Sequence, residues 1–434
     1  MDATFVTLKN NTDAIKRVST KMNLYIFEEP DRSIVYGIGT YIRELIAALK
    51  DSDMNICVVH LGSNEPDDKI GKTGKMGDIH HLYISPPIQR NSSLELKRQR
   101  ELYYRNVVFL LRLYIKDTGN FVFHLNYHTS GKLAEELKKN FNCRIVVTVN
   151  YLKWCLKLMG NVTHFRKILA SEVSQFDDVV TIIKESYQLE KTLFDAADQI
   201  ICLSENTQQI LQYDYQIMPN KTTVINNGLI ESNSISDKLT LRQKYHIPDV
   251  PVFLFAGRLD NAKGLTCALR AFKNVLKTQV NCHFIIAGNG DFEIYLKECE
   301  DIWTHITWTG LINRDKLYDL YSLTDIGIMP SLSEQCNYVA IEMMMHGLPM
   351  VTSAASGLAE MTEDGISSLQ VPVTEYPDKV EIDTDLLAEK MLCLLQNPDE
   401  RKRLGINARK RYKEAYSMDV FRKNMLDFYH SLYE

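Results

Sequence analysis

The 434-residue chain has no uninterrupted apolar run approaching the length of a membrane span, and Met1 to Thr20 are polar, without the apolar core of a secretion signal. The expectation is a cytoplasmic protein, at most peripheral at the inner face of a membrane. There is no Cys-x-x-Cys pair: nine cysteines, at 57, 143, 155, 202, 267, 282, 299, 336 and 393, are odd in number and scattered. This pattern argues against a disulfide scaffold or a zinc site and fits a reducing compartment. Basic excess is missing too. With a formal charge of −5 and a pI near 6.2, no nucleic-acid partner is expected. No Asp-x-Asp metal motif stands at a suitable strand end, and Asp177-Asp178 sits in a polar helical stretch that reads as a solvated face. No metal ion is expected.

What the chain does contain is strand and helix in alternation. Residues 1–20 read as an extension ahead of the first strand, Met22 to Phe27. Further strand patterns at Ile56–His60, Leu82–Ser85, Phe121–Leu125, Arg144–Val149 and Gln199–Leu203 are separated by helical ones, which is the pattern of a doubly wound parallel sheet. After the first strand, Gly37 and Gly39 precede an amphipathic helix over Tyr41–Leu49, with Thr40 as its expected cap. Such a turn either approaches an anion closely or is simply a turn. The segment 94–116 carries Lys97, Arg98, Arg100, Arg105, Arg112 and Lys116 among Leu102, Tyr103, Val107, Leu110 and Leu111. It reads as a helix covering the sheet with its charges in solvent, or as a basic amphipathic helix on an anionic membrane. A polar, turn-rich stretch from Ser232 to Asp237 is the expected linker. These boundaries give an extension at 1–20, domains at 21–235 and 236–416, and a last helix at 417–434.

The second half repeats the alternation around Ser331 to Met345, which follows the strand Ile326–Met329. Glu334 and Glu342 lie eight residues apart, about 12 Å if all of it were helical. Between them Asn337, Tyr338 and Val339 begin a helix, whose unpaired N–H groups attract phosphate. This is the scale of a nucleotide-diphosphate sugar, with one acid for sugar hydroxyls, one for ribose and the helix start for the diphosphate. Upstream, Arg258 and Lys263 flank a loop beginning at Gly257, and a forked guanidinium beside an ammonium neutralises a departing diphosphate.

Glu-x7-Glu after an apolar strand and before Gly347-Leu348-Pro349, together with Gly-Arg-Leu-x4-Lys-Gly at 257–264, resembles the retaining GT-B glycosyltransferases of family 4. The resemblance covers essentially Met22 to Glu434 and is weakest between Pro66 and Asn120. It implies two Rossmann-like domains facing across a cleft, the first binding the acceptor and the second the nucleotide sugar, with the C-terminal helix crossing back to the first. By the same resemblance Arg258 and Lys263 bind the diphosphate and, with Glu334, carry catalysis. Gly37, Gly39, Asn150, Gly257, Asn289, Gly290, Ile312, Asn337, Tyr338, Val339 and Glu342 line the donor, with the base held near Ile312. Asn150 stands where the family usually has histidine, and it can neither carry charge nor move a proton at neutral pH. The implied reaction moves a sugar from a nucleotide-diphosphate donor to an acceptor hydroxyl with retention and without a metal. A lipid-linked glycan or polysaccharide is the leading acceptor and a peptide or protein the alternative. A GT-B phosphorylase and a non-catalytic sugar-nucleotide-binding protein are the rival readings.

Overall fold

The computed structural model describes residues 21–29, 37–63, 73–76, 79–86, 93–172, 178–232 and 237–433. The expected extension, Asp177 and most of the 232–237 linker lie outside them. Alternation within the first strand, β1 (Asn23–Glu28), shows how the sheet is buried: Leu24 and Ile26 turn to one face, Tyr25 and Phe27 to the other, and all four are buried. A strand covered on both sides belongs in a parallel sheet with helices above and below.

That sheet contains β2 (Asn55–Leu61), β3 (Thr73–Met76), β4 (Ile79–Ile84), β5 (Phe121–Leu125), β6 (Cys143–Val149), β7 (Gln199–Cys202) and β8 (Thr222–Val224), in the order β3-β4-β2-β1-β5-β6-β7-β8. Its pairings are parallel except β3 with β4. The second sheet is wholly parallel and runs β11 (Ile306–Gly310), β10 (His283–Ala287), β9 (Val252–Ala256), β12 (Ile326–Met329), β13 (Met350–Ser353), β14 (Leu369–Val371). In each sheet the chain winds outward from one central strand and then restarts on its other side. The switch points lie between β1 and β5 and between β9 and β12, and ligands of open α/β sheets bind just beyond such points. The Gly257–Gly264 and Pro330–Glu334 segments therefore emerge side by side at the second switch point.

One apolar layer runs through both domains, from Leu24, Ile26 and Tyr41 to Leu254, Met343 and Tyr416. The last helix, Met418–His430, completes it on the N-terminal side. Phe421, Met425, Phe428 and Tyr429 recur at helical spacing and are buried. The Phe421 ring lies 6.2 Å from that of Tyr41. Beneath it the Tyr429 hydroxyl meets His124 Nδ1 at 2.6 Å, His124 Nε2 meets the Thr148 hydroxyl at 2.7 Å, and that hydroxyl meets Tyr41 at 2.8 Å. Burial pushes the His124 imidazole down to about 3, so it serves this relay as a neutral ring.

The helix expected from Tyr41 starts earlier, at Ile38, and runs to Leu49. Thr40 is therefore not its cap, and its hydroxyl instead accepts from Arg43 at 3.2 Å. Gly37 occupies the cap position at φ 71°, a left-handed turn that a side chain would strain. Gly39 falls in the first turn of the helix. The basic helix spans Ser93–Tyr114 and buries Tyr104, Val107, Val108 and Leu111 against the sheet. Leu102, counted from sequence with its apolar residues, instead faces solvent, together with Phe109 and Leu113.

Candidate functional site

Two loops from neighbouring strands are laced together by their backbones. Leu332 N–H donates to the Ala262 carbonyl at 2.7 Å, and Gly264, at φ 69°, lies so close to Pro330 that a β-carbon there would fall 1.9 Å from the Pro330 carbonyl oxygen. Only glycine permits that approach. It carries Lys263 to Glu334, whose Oε1 accepts from Lys263 Nζ at 2.5 Å and from Asn337 Nδ2 at 2.7 Å. Glu334 is almost buried, and its backbone carbonyl accepts from Gly357 N–H at 2.9 Å. Among the described residues its Oε2 takes no partner, so one carboxylate oxygen is left for a ligand.

Arg258 turns to Asp260, 2.9 Å away, and is about one-third exposed. Asp260 also accepts from Lys263 N–H at 3.1 Å, which fixes the short turn bearing the lysine. Asn289 and Gly290 support this loop through the backbone: Leu259 N–H donates to the Asn289 carbonyl at 2.9 Å, and Leu259 bridges Gly290. Gly257 N–H donates to Ala287 at 2.9 Å.

The helix Tyr338–Met345 starts as expected, but its three first N–H groups are not all open. Asn337 Oδ1 accepts from Val339 N–H at 2.8 Å and from Ala340 N–H at 3.4 Å, while Asn337 N–H lies 3.2 Å from Met361 Sδ. Asparagine is a favoured cap, so it satisfies its own helix before any ligand does. Of the three, Tyr338 N–H has no partner among the described residues. The Tyr338 ring faces the opposite domain, where a β-carbon on Gly37 would lie 4.0 Å from Tyr338 Cδ2. The glycine turn and the helix start thus confront each other.

One helical stretch further on, Glu342 accepts from the Tyr321 hydroxyl at 2.8 Å, with Arg314 Nε 3.9 Å away. Burial raises this carboxyl to about 7, against the opposing pull of Tyr321 and Arg314. Arg314 also reaches Glu44 of the N-terminal domain, Nη1 to Oε1 3.4 Å. Ile312, expected near the base, packs on the shared apolar layer. Among the described residues the Asn150 side chain, just beyond β6, makes long contacts within its own domain, to the Asn126 and Thr148 carbonyls at 3.4 and 3.5 Å.

The structure thus brings Lys263, Glu334 and Asn337 into one cluster, sets Gly37 against Tyr338, and keeps Glu342 in a separate pocket. Sequence reasoning missed Glu44, Arg314, Tyr321 and Gln335. Glu44 had left a signal, since it interrupts the apolar stripe of its helix between Tyr41, Leu45 and Ala48. Gln335, inside the signature, is bonded by the Thr207 hydroxyl of the other domain, and Asn227 donates to the Cys336 carbonyl at 3.0 Å. The Gln335–Cys336 segment is therefore tied to the other domain.

Comparison with known proteins identifies the family and the fold. The family described as "Glycosyltransferase Family 4" matches residues 35–231, and "Glycosyl transferases group 1" matches residues 237–411. The sucrose-phosphate synthase structure from Thermosynechococcus elongatus superposes with a TM-score of 0.73 at 21% identity, covering 95% of this chain and 99% of that one. Anabaena Alr3699/HepE, in complex with UDP and glucose, gives 0.69 at 16% identity, covering 94% and 100%. In sequence, the lipopolysaccharide 1,2-N-acetylglucosaminetransferase of Salmonella typhimurium is 27% identical over 181 residues, 39% of this chain and 48% of that protein. The chain spans about half the length of the curated relatives it matches. Two matched regions that between them cover both domains, on a GT-B fold, place this chain in the group 1, family 4 glycosyltransferases.

Proposed function

We propose that this chain transfers a sugar from a nucleotide-diphosphate sugar to the hydroxyl of a lipid-linked glycan or polysaccharide precursor, with retention and without a metal ion. The observation that carries the reading is the Lys263–Glu334–Asn337 cluster at the start of a helix that faces the Gly37 turn. Lys263 and Arg258 take the diphosphate, with Tyr338 N–H as a further donor. As the bond from the anomeric carbon to the phosphate oxygen breaks, charge grows on that oxygen, and the two cations stabilise it. The acceptor oxygen bonds to the anomeric carbon on the face the phosphate leaves, and its proton passes to the departing phosphate oxygen. Glu334 Oε2 accepts from sugar hydroxyls and Glu342 from the ribose. The two cations supply the neutralisation a divalent ion would otherwise give.

The acceptor class draws support from the Salmonella relative, whose name assigns it to lipopolysaccharide. It also fits a surface. Leu102, Phe109 and Leu113 are exposed on the 93–114 helix beside Arg98, Arg105 and Arg112, an arrangement suited to an anionic lipid face. Among the described residues no helix is long and apolar enough to cross a membrane. Sedimentation with phosphatidylglycerol vesicles but not phosphatidylcholine vesicles is expected, and equal pelleting with both would remove this contact.

The test of the function is a thermal-shift panel of UDP-, GDP-, ADP- and dTDP-sugars with and without EDTA. A ligand at about 100 times its Kd stabilises by roughly 2.7 kcal/mol. One nucleotide class is expected to raise the midpoint, with the shift and subsequent transfer unchanged by chelation. Activity lost in EDTA and restored by magnesium would overturn the metal-free reading, and binding without product would make the chain a sugar-nucleotide-binding protein.

A further inference from the structure

Three elements from two domains converge beside Glu342. Glu44 comes from the helix behind the Gly37 turn and is 2% exposed at its side chain, whereas Arg314 and Glu342 belong to the C-terminal domain. The guanidinium stands between the two acids. Its Nη1 lies 3.4 Å from Glu44 Oε1 and its Nε 3.9 Å from Glu342 Oε1, while the same Nε donates to the Tyr318 hydroxyl at 2.6 Å. Arg43 Nε also lies 3.6 Å from Glu44 Oε1. Among the described residues, Glu44 Oε2, Arg314 Nη2 and the Tyr338 hydroxyl are all buried without a hydrogen-bond partner. Folded chains leave few such groups, and Glu44 Oε2 and Arg314 Nη2, on side chains that face each other across the cleft, mark a place completed by something polar.

Resting on the nucleotide-sugar reading above, we propose that Glu44 holds Arg314 off Glu342, so that the ribose-binding carboxylate is freed only when the two domains are closed. With the domains apart, Arg314 has Glu342 as its carboxylate partner within its own domain and occupies the oxygens that would accept ribose hydroxyls. Closure brings Glu44 to the guanidinium, which settles nearer to it. Ribose recognition and domain closure then become one event, and Arg314 and Glu44 act as positioning residues.

Calorimetric titration of the full chain with UDP, GDP and ADP, each against its 2′,3′-dideoxy counterpart, reads the ribose contribution directly. Wild type is expected to prefer the ribose form of its nucleotide by about tenfold or more, the worth of a hydrogen bond to a charged acceptor. In Glu44→Gln the preference falls toward one, because Arg314 stays on Glu342. Adding Arg314→Gln to that variant restores it, because the obstruction is gone. A purely structural role predicts the reverse, with the double variant worse than the single. Glu44→Asp keeps the charge and reads the same question should the double variant not fold; a preference no higher than that of Glu44→Gln counts against the proposal. An unmoved preference in Glu44→Gln, or no recovery in the folded double variant, overturns it while leaving the transferase reading intact. Absence of binding by wild type to any of the nucleotides overturns both.

Discussion

The two ends of the Ser331–Met345 stretch carry the same residue type in opposite surroundings. At its loop end Glu334 touches a lysine and an asparagine of its own domain, in a nest of backbone bonds that leaves little freedom. At its helix end Glu342 has a tyrosine hydroxyl, a more distant arginine, and through that arginine a carboxylate of the other domain. The first arrangement is complete within one domain, whereas the second gains its last member, Glu44, from across the cleft. Paired glutamates in one signature thus answer to different electrostatics: one works beside a fixed cation, whereas burial holds the other near its own titration point.

Removing Lys263 should separate the ends most sharply. Lys263→Ala takes a cation from the diphosphate and leaves an almost buried Glu334 without its counter-charge. Breaking such a pair costs the fold roughly 3 to 5 kcal/mol, and with its charge-assisted contact to the donor lost as well kcat/KM should fall by about two decades or more. Steady-state kinetics with the donor identified by thermal shift would show it, and a loss under tenfold would remove Lys263 from the catalytic machinery. Arg258→Ala follows at about one to two decades, the value of one charge-assisted hydrogen bond. Because Arg258 is partly exposed and its ion pair with Asp260 is of the weak surface kind, its loss should appear in turnover more than in the unfolding midpoint. Wild-type activity in this variant would sink its assignment.

At the other end the prediction runs the opposite way. Glu342 has a folded-state pKa of about 7, above the ordinary carboxylate value of 4.5. The native state therefore holds the proton that the unfolded chain releases, and stability from this group declines as pH rises from about 4.5 to 7. Glu342→Gln removes that penalty. It should be roughly 2 to 3 kcal/mol more stable than wild type at pH 8, with no gain at pH 4, while nucleotide affinity drops. Urea unfolding at the two pH values measures this. A variant destabilised at pH 8 would mean that Arg314 and Tyr321 need the charge, erasing the contrast between the two ends.

Legibility from sequence follows the same division. The Glu334 end is built from residues close in the chain, in strand-to-helix loops whose glycines and cations are visible as spelled, so Gly257, Arg258, Lys263, Glu334 and Asn337 could be placed before any coordinates. What remained hidden depended on which partner each group chose. Asn337 as a cap takes Val339 N–H for itself by a local hydrogen bond, and Gly37 rather than Thr40 starts the first helix because the turn there is left-handed. Glu44 and Arg314 are 270 residues apart, and nothing in either neighbourhood names the other. The fold was readable for a simpler reason, since alternation such as Leu24 and Ile26 against Tyr25 and Phe27 repeats in strand after strand.

The smallest expected effect concerns Asn150, which stands apart from both carboxylates on the N-terminal wall. Among the described residues its side-chain amide donates at 3.4 and 3.5 Å, to the carbonyls of Asn126 and Thr148, and Asn126 Oδ1 is buried without a partner. These contacts are too long to fix the side chain strongly, so replacement should cost the fold little. A histidine there can still donate through its ring N–H, and near neutral pH it adds a group able to carry charge on this wall. Asn150→His should therefore leave donor affinity and the unfolding midpoint where they are and raise kcat by about two- to tenfold, or roughly 0.4 to 1.4 kcal/mol of barrier. The gain should fade as pH rises past the imidazole pKa, which distinguishes a charge effect from improved packing. Unchanged or lower turnover across pH 6 to 8 would identify asparagine as the residue this site works with, and would place the specificity of the N-terminal wall in its neutral amide.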